Sequence, residues 1–274
     1  MTLYKQLSGY IAKGFGVLDT ESANELKLFV SSLQNNDGGF SDRAGNSDLY
    51  YSLFAHFILK NTTGNSYQKK LRQFVKEKRK SKEKNLVDLC CLAIMNEEVA
   101  GNRLCSLKYL FLAMKYLFNQ NYHGSNAYQY FLLLLTLDAF GFNTSVTRWF
   151  ARRFYQNSVV IQGLPCPALA AQIVFKNQLG FDVQQECNLL ISYFEENRGF
   201  KINSLAENAD LLSTSVALIA LKTSGCDIAL QAPACLQLAD DNYRGGAFLS
   251  GDGDENRDSE YTFYGLLTLG ALAS

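Results

Sequence analysis

Three stretches of this chain repeat one pattern, and that repetition constrains the fold more than any other feature. The first runs Asn36-Asp37-Gly38-Gly39-Phe40 and leads to Asp48. The second runs Asn197-Arg198-Gly199-Phe200 and leads to Asp210. The third runs Asn242-Tyr243-Arg244-Gly245-Gly246-Ala247-Phe248 and leads to Asp258. Aligned on the acid, the copies agree downstream: Ser52, Thr214 and Thr262 stand at the fourth position after it, Ala55, Ala217 and Gly265 at the seventh, and Leu59, Leu221 and Leu269 at the eleventh. Those offsets fall on one face of an α-helix, so each copy predicts a helix that packs closely through small residues. The acid is placed as its N-cap, accepting hydrogen bonds from the first-turn amides at the positive end of the helix dipole. The glycines suit a turn with positive φ, and the aromatic pins that turn to the core.

Helical pairs fill the rest of the chain at the same spacing. The predicted repeats cover residues 23–60, 67–98, 107–141, 145–178, 183–224 and 228–273 of a single domain, with no stretch left over as a linker. In each pair the second helix is the more apolar and the first carries more charge. Second helices facing inward describe a closed barrel of hairpins better than an open solenoid, which would need polar caps at both ends. The expected fold is therefore all-α, an (α/α)6 toroid. The length of 274 residues and the 47% hydrophobic content suffice for a sizeable core.

Charge and cysteine usage narrow the partners. Twenty-six basic and 26 acidic residues cancel, which gives no reason to expect nucleic acid. Locally, Lys69 to Lys84 carries nine Lys or Arg against two Glu, a solvated helix or a contact for a protein partner or an anionic membrane surface. The seven cysteines are odd in number and lack a Cys-x-x-Cys pair, so a reducing compartment is expected. Met1 to Lys13 lacks the organisation of a signal peptide, and the apolar run Tyr130 to Leu137 ends at Asp138, short of a membrane span. A cytoplasmic protein is the expectation.

The repeats resemble those of protein prenyltransferase β subunits and of squalene-hopene-type terpenoid cyclases. Gln34-Asn35-Asn36-Asp37-Gly38-Gly39-Phe40 with Ser47-Asp48, and Arg257-Asp258-Ser259-Glu260-Tyr261-Thr262-Phe263-Tyr264-Gly265-Leu266, carry the resemblance. It is specific in three repeats and diffuse in the other three. It implies an (α/α)6 toroid whose aromatic central cavity holds an isoprenoid chain.

The family's catalytic groups are not retained in place. The prenyltransferases hold zinc with an Asp-x-Cys pair and a later His, but that His position is Tyr261 here, and Asp48-Leu49-Tyr50 has tyrosine for cysteine. An Asp-x-Cys does occur at Asp88-Leu89-Cys90, and His123 is the only histidine near enough in sequence to complete it. Asp88, Cys90 and His123 would suit tetrahedral zinc with an open position, although a capping Asp88 and a buried Cys90 explain the same residues. No cofactor is expected beyond that one possibility. The cyclases protonate an alkene with the middle acid of Asp-x-Asp-Asp, a place held by Leu212 in Asp210-Leu211-Leu212-Ser213. The loop from Asp252 to Asp258 alternates oxygen ligands but lacks the glycine and the final acid of a calcium loop.

Asp48, Asp210 and Asp258 are then the candidate catalytic acids, at the mouth where the inner helices begin. Tyr50, Tyr51, Phe54, Tyr128, Tyr130, Tyr261 and Tyr264 are the candidate binding residues, their ring faces able to line a cavity and stabilise a cation. Arg148, Arg152 and Arg153 could hold a diphosphate. The expected ligand is an apolar chain, an isoprenoid or its diphosphate. The alternatives are a non-catalytic, partner-binding scaffold of the same fold and, ranked lower, a carbohydrate-active α/α barrel using two carboxylates.

Overall fold

The repeated acid and hydroxyl each make one recurring contact in the computed structural model, which describes residues 3–60, 66–119, 135–141 and 163–274. Asp48, Asp210 and Asp258 are the N-caps of helices α3 (Leu49–Leu59), α9 (Leu211–Thr223) and α11 (Ser259–Leu272), each in extended backbone with its carboxylate accepting first-turn amides. The hydroxyl one turn later reaches back to the aromatic turn. Ser52 accepts the amide of Phe40 at 2.8 Å, Thr214 that of Phe200 at 3.0 Å and Thr262 that of Phe248 at 3.4 Å. All three phenylalanines are buried. Gly265 has no side chain because a Cβ there would overlap the Phe248 ring. A buried amide left unpaired costs about 1–3 kcal/mol, so the hydroxyl fixes the turn against the helix that follows it.

The turns themselves are two-stranded antiparallel ribbons, a detail that the all-α expectation did not include. Phe40 pairs with Asp48, Phe194 with Phe200, and Tyr243 with Phe248. The second ribbon shortens its helix: α8 (Gln184–Ile191) stops early because Phe194 and Glu195 are already in strand. The described residues are otherwise mostly helical, and none of their helices is long and apolar enough to cross a membrane.

The remaining helices are α1 (Leu3–Val17), α2 (Thr20–Ser32), α4 (Ser66–Lys78), α5 (Leu86–Glu98), α6 (Arg103–Asn119), α7 (Cys166–Gln178) and α10 (Ala232–Asp241). The expected division between first and second helices holds. The helices α3, α5, α7, α9 and α11 are buried along most of their length, whereas α2 buries only Leu26 and Val30. Adjacent second helices pack in parallel. Helix α7 lies beside α9, with Cys166 near Ser213 at one end and Asn177 bonded to the carbonyl of Thr223 at the other. Helix α9 lies beside α11, α11 beside α3, and α3 beside α5. Most of the predicted third inner helix and all of residues 145–157 lie outside the described residues.

Helix α1 is the element that repeat counting missed. It packs antiparallel along the C-terminal half of α11, and two glycines allow the approach: a Cβ on Gly14 would overlap the backbone of Leu266, and one on Gly270 that of Tyr10. Its N-terminal end reaches the C-terminal end of α3 and Asp138. Tyr4 donates its amide to Asp138 and stacks edge-on to Phe57 at 5.7 Å.

The two helix glycines give opposite expectations for the same substitution. Gly9 faces open space, so Gly9→Ala should stabilise the protein by about 0.5–1 kcal/mol through helix propensity. Gly270→Ala gains the same propensity but forces α1 off α11 at about 1–3 kcal/mol, so the unfolding midpoint in urea should rise for the first variant and fall for the second.

Candidate functional site

Parallel second helices bring their N-termini to one end of the molecule. There α3, α5 and α11 begin around a cavity of about 330 Å³ lined by Asp42, Asp48, Tyr50, Tyr51, Asn85, Val87, Asp88 and Glu260. Four of these are carboxylates, and none of the described residues that line it is basic.

Capping occupies the three predicted acids. Asp48 accepts the amides of Tyr50 and Tyr51 at 2.7 and 3.1 Å while still facing the cavity. Asp258 is buried behind it and accepts both the Tyr261 amide and the Arg43 guanidinium at 2.8 Å. Asp210 caps α9 through the Ser213 amide at 2.7 Å and does not line this cavity. Burial pushes its carboxyl up to about 6, against the pull of those capping bonds. The structure thus brings Asp48 and Asp258 together beside Glu260, while Asp210 is outside the cavity lining and acts on Tyr261 and Tyr264.

The acid best placed for chemistry is Glu260, which was not singled out from the sequence. It stands two residues after the cap, where the other copies have Tyr50 and Leu212. Tyr50 donates its hydroxyl to Glu260 at 2.7 Å. Burial raises the carboxyl to about 7, with the Tyr50 hydrogen bond opposing and the nearby Asp258 and Asp48 reinforcing the rise. A carboxyl so poised exchanges a proton near neutrality, as a general acid or base requires. Burial, with the Glu260 carboxylate adding to it, holds the phenols of Tyr50 and Tyr264 protonated.

The aromatic set divides. Tyr50 and Tyr51 line the cavity. Phe54 packs edge-on to Tyr50 at 4.6 Å, with Phe263 at 4.8 Å and Tyr264 at 5.6 Å from Phe54, so these rings fill the space between α3 and α11. Tyr261 turns its ring to the Arg43 guanidinium at 5.4 Å. Tyr128 and Tyr130 lie outside the described residues, as do Arg148, Arg152 and Arg153.

Of the candidate zinc residues, Asp88 has another role. Asn85, not Asp88, is the N-cap of α5; Asp88 closes the capping box from the third helical position, because only Asn85 precedes the helix in extended backbone. Cys90 is fully buried and its thiol is pushed up to about 12, unfavourable for a metal-binding thiolate. His123 lies outside the described residues. Among those described, no group of three His, Cys, Asp or Glu side chains is placed to hold a metal. In the acidic loop, Arg43 pairs with both Asp254, at 2.6 Å, and Asp258.

No protein-family model, no curated protein and no solved structure matches this chain.

The raised Glu260 carboxyl has a defined effect on stability. Its folded value lies above that of the unfolded chain, so the native state holds the extra proton and is favoured at low pH. That contribution is complete below about pH 4.5 and is lost as pH rises through about 7. Asp210 acts in the same direction at slightly lower pH. Denaturation midpoints should therefore fall across this window, and Glu260→Gln should flatten the upper part of the fall.

Proposed function

We propose that this chain is a closed (α/α)6 toroid that binds an apolar chain, an isoprenoid or a molecule of like shape, at the mouth where its inner helices begin. The observation that carries this reading is the cavity at the N-termini of α3, α5 and α11, where tyrosine rings meet the protonatable Glu260. Closure is supported by the packing of α3 against α11, which joins the first repeat to the last, and by the parallel succession of second helices.

The cavity wall selects among head groups. Asp42, Asp48, Asp88 and Glu260 give it a negative field that opposes the converging helix dipoles and disfavours a diphosphate. A hydroxyl or a protonated amine is favoured: it can hydrogen-bond to Glu260, and an ammonium gains from the faces of Tyr50 and Tyr51. Chain binding would rest on the rings beneath the mouth. The protein acts here as a binder, since the zinc ligands of the transferases and the middle acid of the cyclases are absent from the matching positions.

A second reading, a partner-binding scaffold of the same fold, draws on the close packing of Phe54, Phe263 and Tyr264, which fills part of the interior. Calorimetry separates the two. Farnesol and farnesylamine should bind, with farnesyl diphosphate at least about tenfold weaker, roughly one unfavourable charge contact at the mouth. Tyr50→Ala should abolish binding of all three. Failure of every ligand to bind the native chain would leave the scaffold reading in its place.

A further inference from the structure

On the other side of the α5 N-terminus from the acidic mouth is a larger cavity of opposite charge. It has a volume of about 540 Å³ and is lined by Arg79, Lys82, Lys84, Lys108 and Lys115, together with Leu89, Tyr109, Leu112 and Tyr116. Among the described residues that line it, none is acidic. Most of the cations have an ordinary explanation in solvation, but Arg79 does not. Its Nε and Nη2 atoms are buried, and among the described residues neither has a hydrogen-bond partner. Buried guanidinium donors without acceptors are costly, and a phosphate group supplies the bidentate acceptor that matches them.

The wall of this cavity continues into a second unexplained feature. Leu104, Leu107, Phe111 and Met114 are 83%, 39%, 69% and 37% exposed. Their spacing of three, four and three residues makes them one apolar stripe along α6. By helical geometry Lys108 and Lys115 lie between that stripe and the cavity-facing Leu112 and Tyr116. Apolar side chains, flanking lysines and a phosphate-shaped basic pocket on one face are the parts of an interfacial membrane contact.

We infer that this face docks on a membrane: a phosphorylated lipid headgroup enters the cavity to pair with Arg79, Lys108 and Lys115, while Leu104, Leu107, Phe111 and Met114 enter the acyl boundary. Charge complementarity and the contiguous apolar stripe favour a lipid over a soluble phosphate or an acidic protein, neither of which uses the stripe and the pocket together. The surface is distinct from the acidic mouth and independent of what binds there.

Co-sedimentation tests it, using the intact chain and phosphatidylcholine vesicles with or without phosphatidylinositol phosphate. Binding should require the phosphorylated lipid. Arg79→Gln and Phe111→Ser should each weaken it about tenfold, the first by loss of charged hydrogen bonds and the second by loss of buried apolar area. Lys69→Gln removes the same charge from an exposed site on α4, and Leu28→Ser removes an isolated exposed side chain that is 71% accessible; both should have a smaller effect. Arg79→Gln should also melt no lower than the native chain, because it removes two buried donors that lack an acceptor among the described residues, so a loss of binding is not a loss of fold. The inference is overturned by any of three results. One is no vesicle binding. Another is an Arg79→Gln effect no larger than that of Lys69→Gln, which would indicate diffuse attraction. The third is binding of soluble inositol phosphate, or capture of an acidic protein, with vesicle binding indifferent to Phe111→Ser.

Discussion

Arg43 holds the two ends of this chain together. It projects from the turn of the first repeat and pairs at 2.8 Å with Asp258, the buried cap of the last helix, and at 2.6 Å with Asp254 in the loop before it. Two further bonds cross the same seam: Tyr50 to Glu260, and the Ser259 hydroxyl to the carbonyl of Tyr51. A surface ion pair alone contributes little, but Asp258 is only 2% exposed as a side chain, so its charge depends on Arg43 and on its capping amide. The acid is both the terminus of a helix and the anchor of a contact between residues far apart in sequence.

The acidic cavity exists because of that seam. Its walls come from the first, second and last repeats, and Tyr50 can fix Glu260 only while α3 and α11 stay adjacent. Glu260 gains its proton affinity from the same packing, since burial raises it and the Tyr50 bond opposes the rise. The α5 N-terminus then separates two fields of opposite sign, carboxylates on one side and Arg79 with its lysines on the other. Net neutrality over the whole chain conceals this division.

The repeats were legible because they obey local rules: a cap, a one-turn hydroxyl and a small residue are set by helix period alone. Their partners were less so. That Ser52 and Thr214 reach back to aromatic amides, and that Gly265 makes room for Phe248, depends on turns whose ribbon geometry was not foreseen. The acids were read correctly as caps, yet the acid facing the cavity is Glu260, which carries no repeat signature because its counterparts are Tyr50 and Leu212. Arg43 and α1 were missed for a related reason. Their contacts join segments more than 200 residues apart, and no period within a repeat encodes them.

The seam can be measured through Arg43→Met, Asp258→Asn and the double variant, since Asn still caps a helix and each single change removes the ion pair. If the first and last repeats are joined as described, the two substitutions should couple by at least about 1 kcal/mol in urea unfolding. Simple additivity would mean that Arg43 and Asp258 do not meet in solution, and would contradict both the seam and the site built on it.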